Sequence, residues 1–306
     1  MEQRGNTLSQ PALDCGIGGT VPPVAQVRAC VDKYSAKGFR LETFNTIEHA
    51  HDIDDVRAAL GASKAILWGG SYGGLLAQTA ARLHPATISG ILLESSAMTG
   101  EPYRPFDQAR AREPKLAAFL TWLTKACAGS PACAAAMPGL DAAKELADFE
   151  SSAATSPFAL TPQIRVGSAE AHFLALITMY YIPNAVLVLR MMYASNHGQL
   201  AAFDQIRIGT ESARDYITRI IAFADVNRSS NFVYDCYDTV RNWTDQGLSE
   251  ALATSYSATE RSEVQSQIDA EKLACGALPA PTVPQEELNV STVTDVPTIF
   301  FHGGLD

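Results

Sequence analysis

The chain has 306 residues, 47% of them hydrophobic, and carries a formal charge of -10 with a sequence pI near 5.1. That apolar content excludes a disordered chain and suffices for one large domain or for a core with an inserted subdomain. The acidic balance, with no dense run of Lys or Arg, argues against nucleic acid or a membrane surface as a partner, and no apolar run approaches the ~20 residues of a membrane-spanning helix.

The chain begins with polar residues, Met1-Glu2-Gln3-Arg4, and no apolar stretch follows that would make a signal peptide. Pro11, Pro22, Pro23 and Gly16-Ile17-Gly18-Gly19 break up the next thirty residues, leaving a helix-compatible run from Val24 to Ala36. From Asn45 the pattern is helical: Ile47, Ile53, Val56 and Leu60 recur at near-helical spacing, with Thr46 the expected cap, Glu48 in the first turn and Gly61 the stop. Lys64 to Trp68 is a short apolar run bounded by turn signals, predicted to be a fully buried parallel strand. A helix-forming run to Leu83 ends before Pro85, and Ile88 to Glu94 is the next strand. Helix, strand, turn, helix and strand in this order predict an α/β fold with a parallel sheet.

The turn between that first strand and its helix reads Trp68-Gly69-Gly70-Ser71-Tyr72-Gly73-Gly74 and contains the pattern Gly-x-Ser-x-Gly. A serine hydroxyl is a poor nucleophile unless a base takes its proton and the backbone presents it at a sharp, exposed turn. Glycines permit such a turn, and the helix that follows aims its N-terminal amides at the place where an oxyanion would form. The pattern alone is weak, but a strand before it and a helix after it make Ser71 the expected nucleophile and the amide of Tyr72 an expected oxyanion donor. The bland alternative is a Gly/Ser loop joining a strand to a helix.

After Glu94 the alternation stops. Residues 105 to 290 read as helices, at 107–126, 141–150, 168–181, 184–195, 210–225 and 247–272, and are expected to form a cap inserted in the sheet domain. The predicted organisation is a first part of the core at 1–104, a helical cap at 105–290, and a returning strand and acid turn at 291–306. Met179, Tyr180, Tyr181, Met191, Met192 and Tyr193 could line a pocket, although such a stripe at helical spacing is more often core. The last residues, Asp295 to Asp306, read as a buried strand entering a Gly-rich turn that presents a carboxylate.

Six cysteines fall as three neighbouring pairs, Cys15 with Cys30, Cys127 with Cys133 and Cys236 with Cys275, although six permit 15 pairings. Their spacing is not that of zinc knuckles, so disulfides in an exported protein are expected and free thiols in a cytoplasmic one are the alternative. No metal or organic cofactor is expected.

These residues resemble the proline iminopeptidase and tripeptidyl aminopeptidase family of serine α/β-hydrolases over about the first hundred residues and the last ten. Glu2-Gln3-Arg4-Gly5-Asn6-Thr7-Leu8-Ser9 is similar to the family's Asp-Gln-Arg-Gly-x-Gly-x-Ser segment, with Glu for Asp and Thr7 for the second Gly. Phe44-Asn45-Thr46 with Ala50-His51-Asp52-Ile53 resembles its Tyr-Asn-Thr and Asp-bearing helix, and the Ser71 turn is the most specific match. Cys15 and the segment Tyr234-Asp235-Cys236-Tyr237-Asp238 resemble the exported, disulfide-bearing branch. The resemblance implies an α/β-hydrolase fold with a large helical cap, Asp306 as the triad acid, an extracytoplasmic location, and an exopeptidase that releases N-terminal amino acids or short peptides through an acyl-enzyme. A cap carboxylate would then receive the substrate ammonium. Glu94, Glu170, Asp204 and Glu211 are possible sources, although each reads first as a surface charge.

In this fold the base follows the acid along the chain, and all six histidines precede Asp306. His302 is the one tempting substitute, and a strand neighbour of the acid rarely reaches the serine as well. The upstream His-Gly-Gly-Pro-Gly-type loop of the family is also not found. The expectation from sequence is therefore a fragment of a longer enzyme with little turnover of its own, with a carboxylesterase or a non-catalytic binding protein as the rival readings.

Overall fold

In a computed structural model the residues described are 2–6, 8–17, 21–162, 164–179, 181–226, 228–255, 258–284, 287–288 and 290–302. The elements in chain order are α1 (Val24–Ser35), α2 (Thr46–Ala59), β1 (Ala65–Gly70), α3 (Tyr72–Leu83), β2 (Ile88–Glu94), α4 (Arg104–Ala128), α5 (Pro131–Ala136), α6 (Ala142–Thr155), β3 (Phe158–Ala159), β4 (Arg165–Val166), α7 (Ser168–Thr178), α8 (Ile182–Asn196), α9 (Leu200–Phe203), β5 (Arg207–Ile208), β6 (Glu211–Ser212), α10 (Ala213–Val226), α11 (Arg228–Asp238), α12 (Asp245–Ser255), α13 (Ala258–Gly276) and β7 (Thr298–Phe301). They fall into two compact units, one of Met1–Gln108 with Val226–Asp306 and one of Ala109–Asp225.

The first unit is built on a parallel sheet in the order β1-β2-β7, with Gly70 opposite Glu94 and Glu94 opposite Phe301. Parallel strands need crossovers, and α3 supplies the one between β1 and β2. It packs Ala77 and Ala81 against Ile88, Ile91, Leu93 and Val296. The two strands predicted to be fully buried are not. Ile66 and Trp68 of β1 are 67% and 75% exposed, and Ile299, Phe300 and Phe301 of β7 are exposed as well. Side chains alternate across a strand, so Ile66 and Trp68 are exposed on one face of β1, whereas three consecutive exposed residues leave both faces of the edge strand β7 open.

A second core of this unit gathers Val27, Cys30 and Tyr34 of α1, Val233, Cys236 and Tyr237 of α11, and Ala274 and Cys275 of α13. The helix at 228–238 was not anticipated from sequence, because its apolar stripe holds one aliphatic residue, Val233, among Tyr and Cys. The predicted helix at 247–272 is two helices, α12 and α13. The second unit is helical, with Leu116, Phe119, Phe149, Leu174, Met191 and Met192 in its core. Of the Met/aromatic stripe, Met191, Met192 and Tyr193 are therefore core, Tyr181 is exposed, and Tyr180 lies outside the described residues.

The three cysteine pairs are bonded as 15–30, 127–133 and 236–275, with Cα separations of 5.2, 5.1 and 5.2 Å. The third closes the longest loop, 39 residues, and ties α11 to α13 inside the core. Chain-entropy reasoning gives such a loop ~4 kcal/mol. Cys236→Ala with Cys275→Ala is expected to lower the unfolding free energy by about 2–4 kcal/mol, read as a shifted urea midpoint, whereas the same change at Cys127 and Cys133, a loop of 6, should cost less. No helix among the described residues is long and apolar enough to cross a membrane. The disulfides suggest an oxidising environment.

Candidate active site

Because the three strands end on one rung, the chain leaves the sheet at Ser71, Ser95 and His302 along a single carboxyl edge, which is where open parallel sheets form their crevices. Ser71 has φ +50° and ψ -123°, and with Ser95 at φ +42° it is one of two non-glycine residues with positive φ among those described. A side chain held there costs ~1–3 kcal/mol and persists only where the surroundings enforce it.

The surroundings do enforce it. Ser71 N donates to Glu94 O at 3.1 Å, and Ser71 O accepts from Gly74 N and from Ala97 N, each at 3.1 Å. Buried Gln78 clamps the far side, its Nε2 donating to Gly74 O at 3.1 Å, Ser96 Oγ at 3.2 Å and Ala97 O at 2.8 Å. A Cβ on Gly69 would overlap the carbonyl of Gly73, and one on Gly74 would overlap the Ser96 side chain. Gly73, the last glycine of the Gly-x-Ser-x-Gly pattern, faces open space. Ser71 is the N-cap residue of α3, yet its hydroxyl makes no capping bond and no hydrogen bond to any described residue. Tyr72 N–H, the first amide of α3, is one of the donors that a helix leaves unsatisfied at its start.

Behind this turn lies a polar layer that sequence reasoning missed. Thr46, expected as the cap of α2, is not that cap: Asn45 is, accepting from Glu48 N at 3.0 Å. Thr46 Oγ1 instead donates to Asp238 Oδ2 at 2.5 Å and meets the Tyr72 hydroxyl at 2.8 Å, while Thr46 N donates to Asp238 Oδ1 at 3.2 Å. The Tyr72 ring stacks on Tyr234 with centroids 5.8 Å apart. Burial, and then the Asp238 carboxylate, push the Tyr72 phenol well above its ordinary pKa. The Tyr72 side chain is thus a neutral anchor. The acid-and-aromatic run 234–238 was a visible signal, but its partners lie almost two hundred residues away in sequence. Arg4, noted only as part of a motif, grips Asp52 of α2 with Nε and Nη2 at 2.5 and 2.7 Å.

His49 of α2 is 1% exposed, lies edge-on to Tyr234 with centroids 4.6 Å apart, and has neither ring nitrogen hydrogen-bonded. Burial, with the Arg4 charge nearby, lowers its pKa to about 3. The folded chain therefore takes up this proton only near pH 3, whereas the unfolded chain takes it up below about 6.5, so stability falls as pH drops through that window. His49→Phe is expected to remove this share of the acid sensitivity, about 1.4 kcal/mol per pH unit, measured by urea unfolding between pH 6.5 and 4.

The other histidines are also engaged. His51 and His84 face each other, His172 bridges Glu113 and Glu150, His197 meets Glu145, and His302 stacks on Phe300. None of them hydrogen-bonds Ser71. His302 leaves the sheet two strands from Ser71, a separation of ~9–10 Å at the usual strand spacing. Asp306, the expected acid, lies outside the described residues. The four carboxylates considered for a substrate ammonium have partners: Glu94 accepts from Trp68 Nε1, Glu170 from Gly167 N, Asp204 pairs with Arg214 and Glu211 with Arg219. Among the described residues no group of three or more His, Cys, Asp or Glu gathers to hold a metal ion.

Residues 1–131 match the family model described as the alpha/beta hydrolase fold. No curated protein matches the chain. With the parallel sheet and the strand-turn-helix around Ser71, the match makes this an α/β-hydrolase fold with helical insertions, a fold that supports a hydrolase.

Proposed function

We propose that this α/β-hydrolase chain belongs to a serine peptidase acting on the free N-terminus of peptides, with Ser71 as the acylated nucleophile. The observation that carries the reading is a serine at φ +50° between a parallel strand and a helix N-terminus, its hydroxyl unclaimed by any described group. Three backbone hydrogen bonds at Ser71, three more from Gln78 and two glycines with no room for a side chain maintain a conformation that has no evident structural purpose. Such strain is a feature of a nucleophile elbow.

In the reaction Ser71 Oγ attacks the scissile carbonyl carbon, its proton passes to a histidine base, and the carbonyl oxygen becomes an oxyanion that the Tyr72 amide stabilises. The base then protonates the leaving amine, the acyl group stays on Ser71, and water releases it. Asp306 is the carboxylate proposed to orient the base. The polar layer of Tyr72, Thr46 and Asp238 fixes the residue whose amide does the work, which ties oxyanion stabilisation to α2 and α11.

The substrate preference rests on the resemblance to aminopeptidases. The test is an assay of the full-length protein with aminoacyl and tripeptidyl anilides, the same anilides blocked at the amino group, and short-chain esters. Turnover of the free anilides, lost by roughly a hundredfold or more on blocking, is the expected result, since it removes a charge that the site must pair. Hydrolysis of esters alone would make the protein a carboxylesterase.

A further inference from the structure

We infer that His51 and His84 form a surface binding site for a divalent transition-metal ion of the kind that favours imidazole, Zn²⁺, Ni²⁺ or Cu²⁺. The site is separate from the Ser71 turn and lies between the middle of α2 and the C-terminal end of α3.

Rigid elements hold the pair. Ala50 of α2 packs with Leu76 and Ala80 of α3, flanked by Ile53 and Leu83. His51 follows the first of these in sequence and His84 the last, so the seam that sets the helix spacing also sets the distance between the rings. His51 Nδ1 lies 3.0 Å from His84 Nε2, with the ring planes at 82°. Metal–imidazole bonds are ~2.0–2.1 Å, so two nitrogens on one tetrahedral ion stand ~3.3 Å apart. To admit an ion the rings must move apart by a few tenths of an ångström and turn so that both lone pairs converge on it, in place of the hydrogen bond between them.

A carboxylate lies behind the His84 ring. His84 Nδ1, the nitrogen turned away from His51, lies 3.7 Å from Asp54 Oδ2. Arg57 Nε and Thr87 Oγ1 donate to Asp54 Oδ1 at 2.7 Å each and so fix the position of that carboxyl. A hydrogen on His84 Nδ1, the side of Asp54, leaves the Nε2 lone pair for an ion, as in histidines that a carboxylate orients toward a metal. His51 is exposed and can carry its hydrogen on Nε2, leaving Nδ1 free as the second ligand. Two protein ligands would leave the remaining positions of the ion to water.

The test is calorimetric titration of the full chain, disulfides intact, with zinc, nickel or copper(II) chloride in turn, together with copper(II) electron paramagnetic resonance. One equivalent should bind, with two nitrogen ligands in the copper spectrum. His51→Ala and His84→Ala should each weaken binding roughly tenfold or more and remove one nitrogen, and Asp54→Asn should weaken it roughly tenfold by releasing the His84 ring. His51 is exposed on a packed helix, so His51→Ala decides the matter even where His84→Ala, at the end of α3, perturbs folding. Absence of saturable binding by all three ions would overturn the inference, as would equal affinity in the wild type and in the His51→Ala protein.

Discussion

Ser71→Ala is expected to abolish covalent labelling of the full-length protein by a serine-directed fluorophosphonate and to lower kcat by roughly 10⁶-fold, because no other group can carry the acyl intermediate. The substitution keeps the backbone amides and the fold, so a preserved circular dichroism spectrum with labelling lost assigns the nucleophile. The elbow geometry strengthens the expectation. Ser71 O is held by two amides and Ser71 N by a carbonyl, leaving only the side chain free to react. Labelling that survives Ser71→Ala would move the nucleophile elsewhere and leave the strained turn without a function.

Gly69→Ala carries the second large effect, this time on stability. The added Cβ would sit on the Gly73 carbonyl, which is backbone and cannot swing aside, so β1 and α3 would have to separate. A loss of about 3 kcal/mol or more is expected, in the range of severe overpacking. Gly73→Ala is the matched comparison. That position has open space and lies in the first turn of α3, so the change should stay within about 1 kcal/mol of the wild type. Thermal unfolding midpoints of the two variants, measured side by side, separate a steric glycine from a merely permitted one. Similar midpoints would mean that the close approach of strand and helix is not maintained in solution. The pattern Gly-x-Ser-x-Gly thus contains one glycine demanded by packing and one that packing leaves open, and Gly74, outside the pattern, is demanded as well.

Much of the core was legible because it is local. The apolar runs at 64–68 and 88–94, the breaks at Gly61 and Pro85, and the helix after Ser71 each announce themselves within a few residues, and the observed elements β1, α3 and β2 fall where those signals put them. The helical middle was legible as a class but not in detail: α11 was missed because Tyr234, Cys236 and Tyr237 form its buried side, and one long helix proved to be two. Exposure was misjudged for β1 and β7. An apolar run says that a strand can be buried on both faces and cannot say whether a helix lies over each.

The sequence by itself determined the parallel α/β character, the serine between strand and helix, and the glycines that let the chain turn there. These follow from backbone sterics and short-range periodicity, which do not depend on distant residues. Only the tertiary structure decided that Thr46 serves Tyr72 and Asp238 rather than capping its own helix, that Gln78 clamps the elbow, that His49 is buried without a hydrogen-bonding partner, and that His51 meets His84. Each of these rests on contacts between groups from 18 to 192 residues apart, and a side chain carries no mark of which remote partner folding will bring to it.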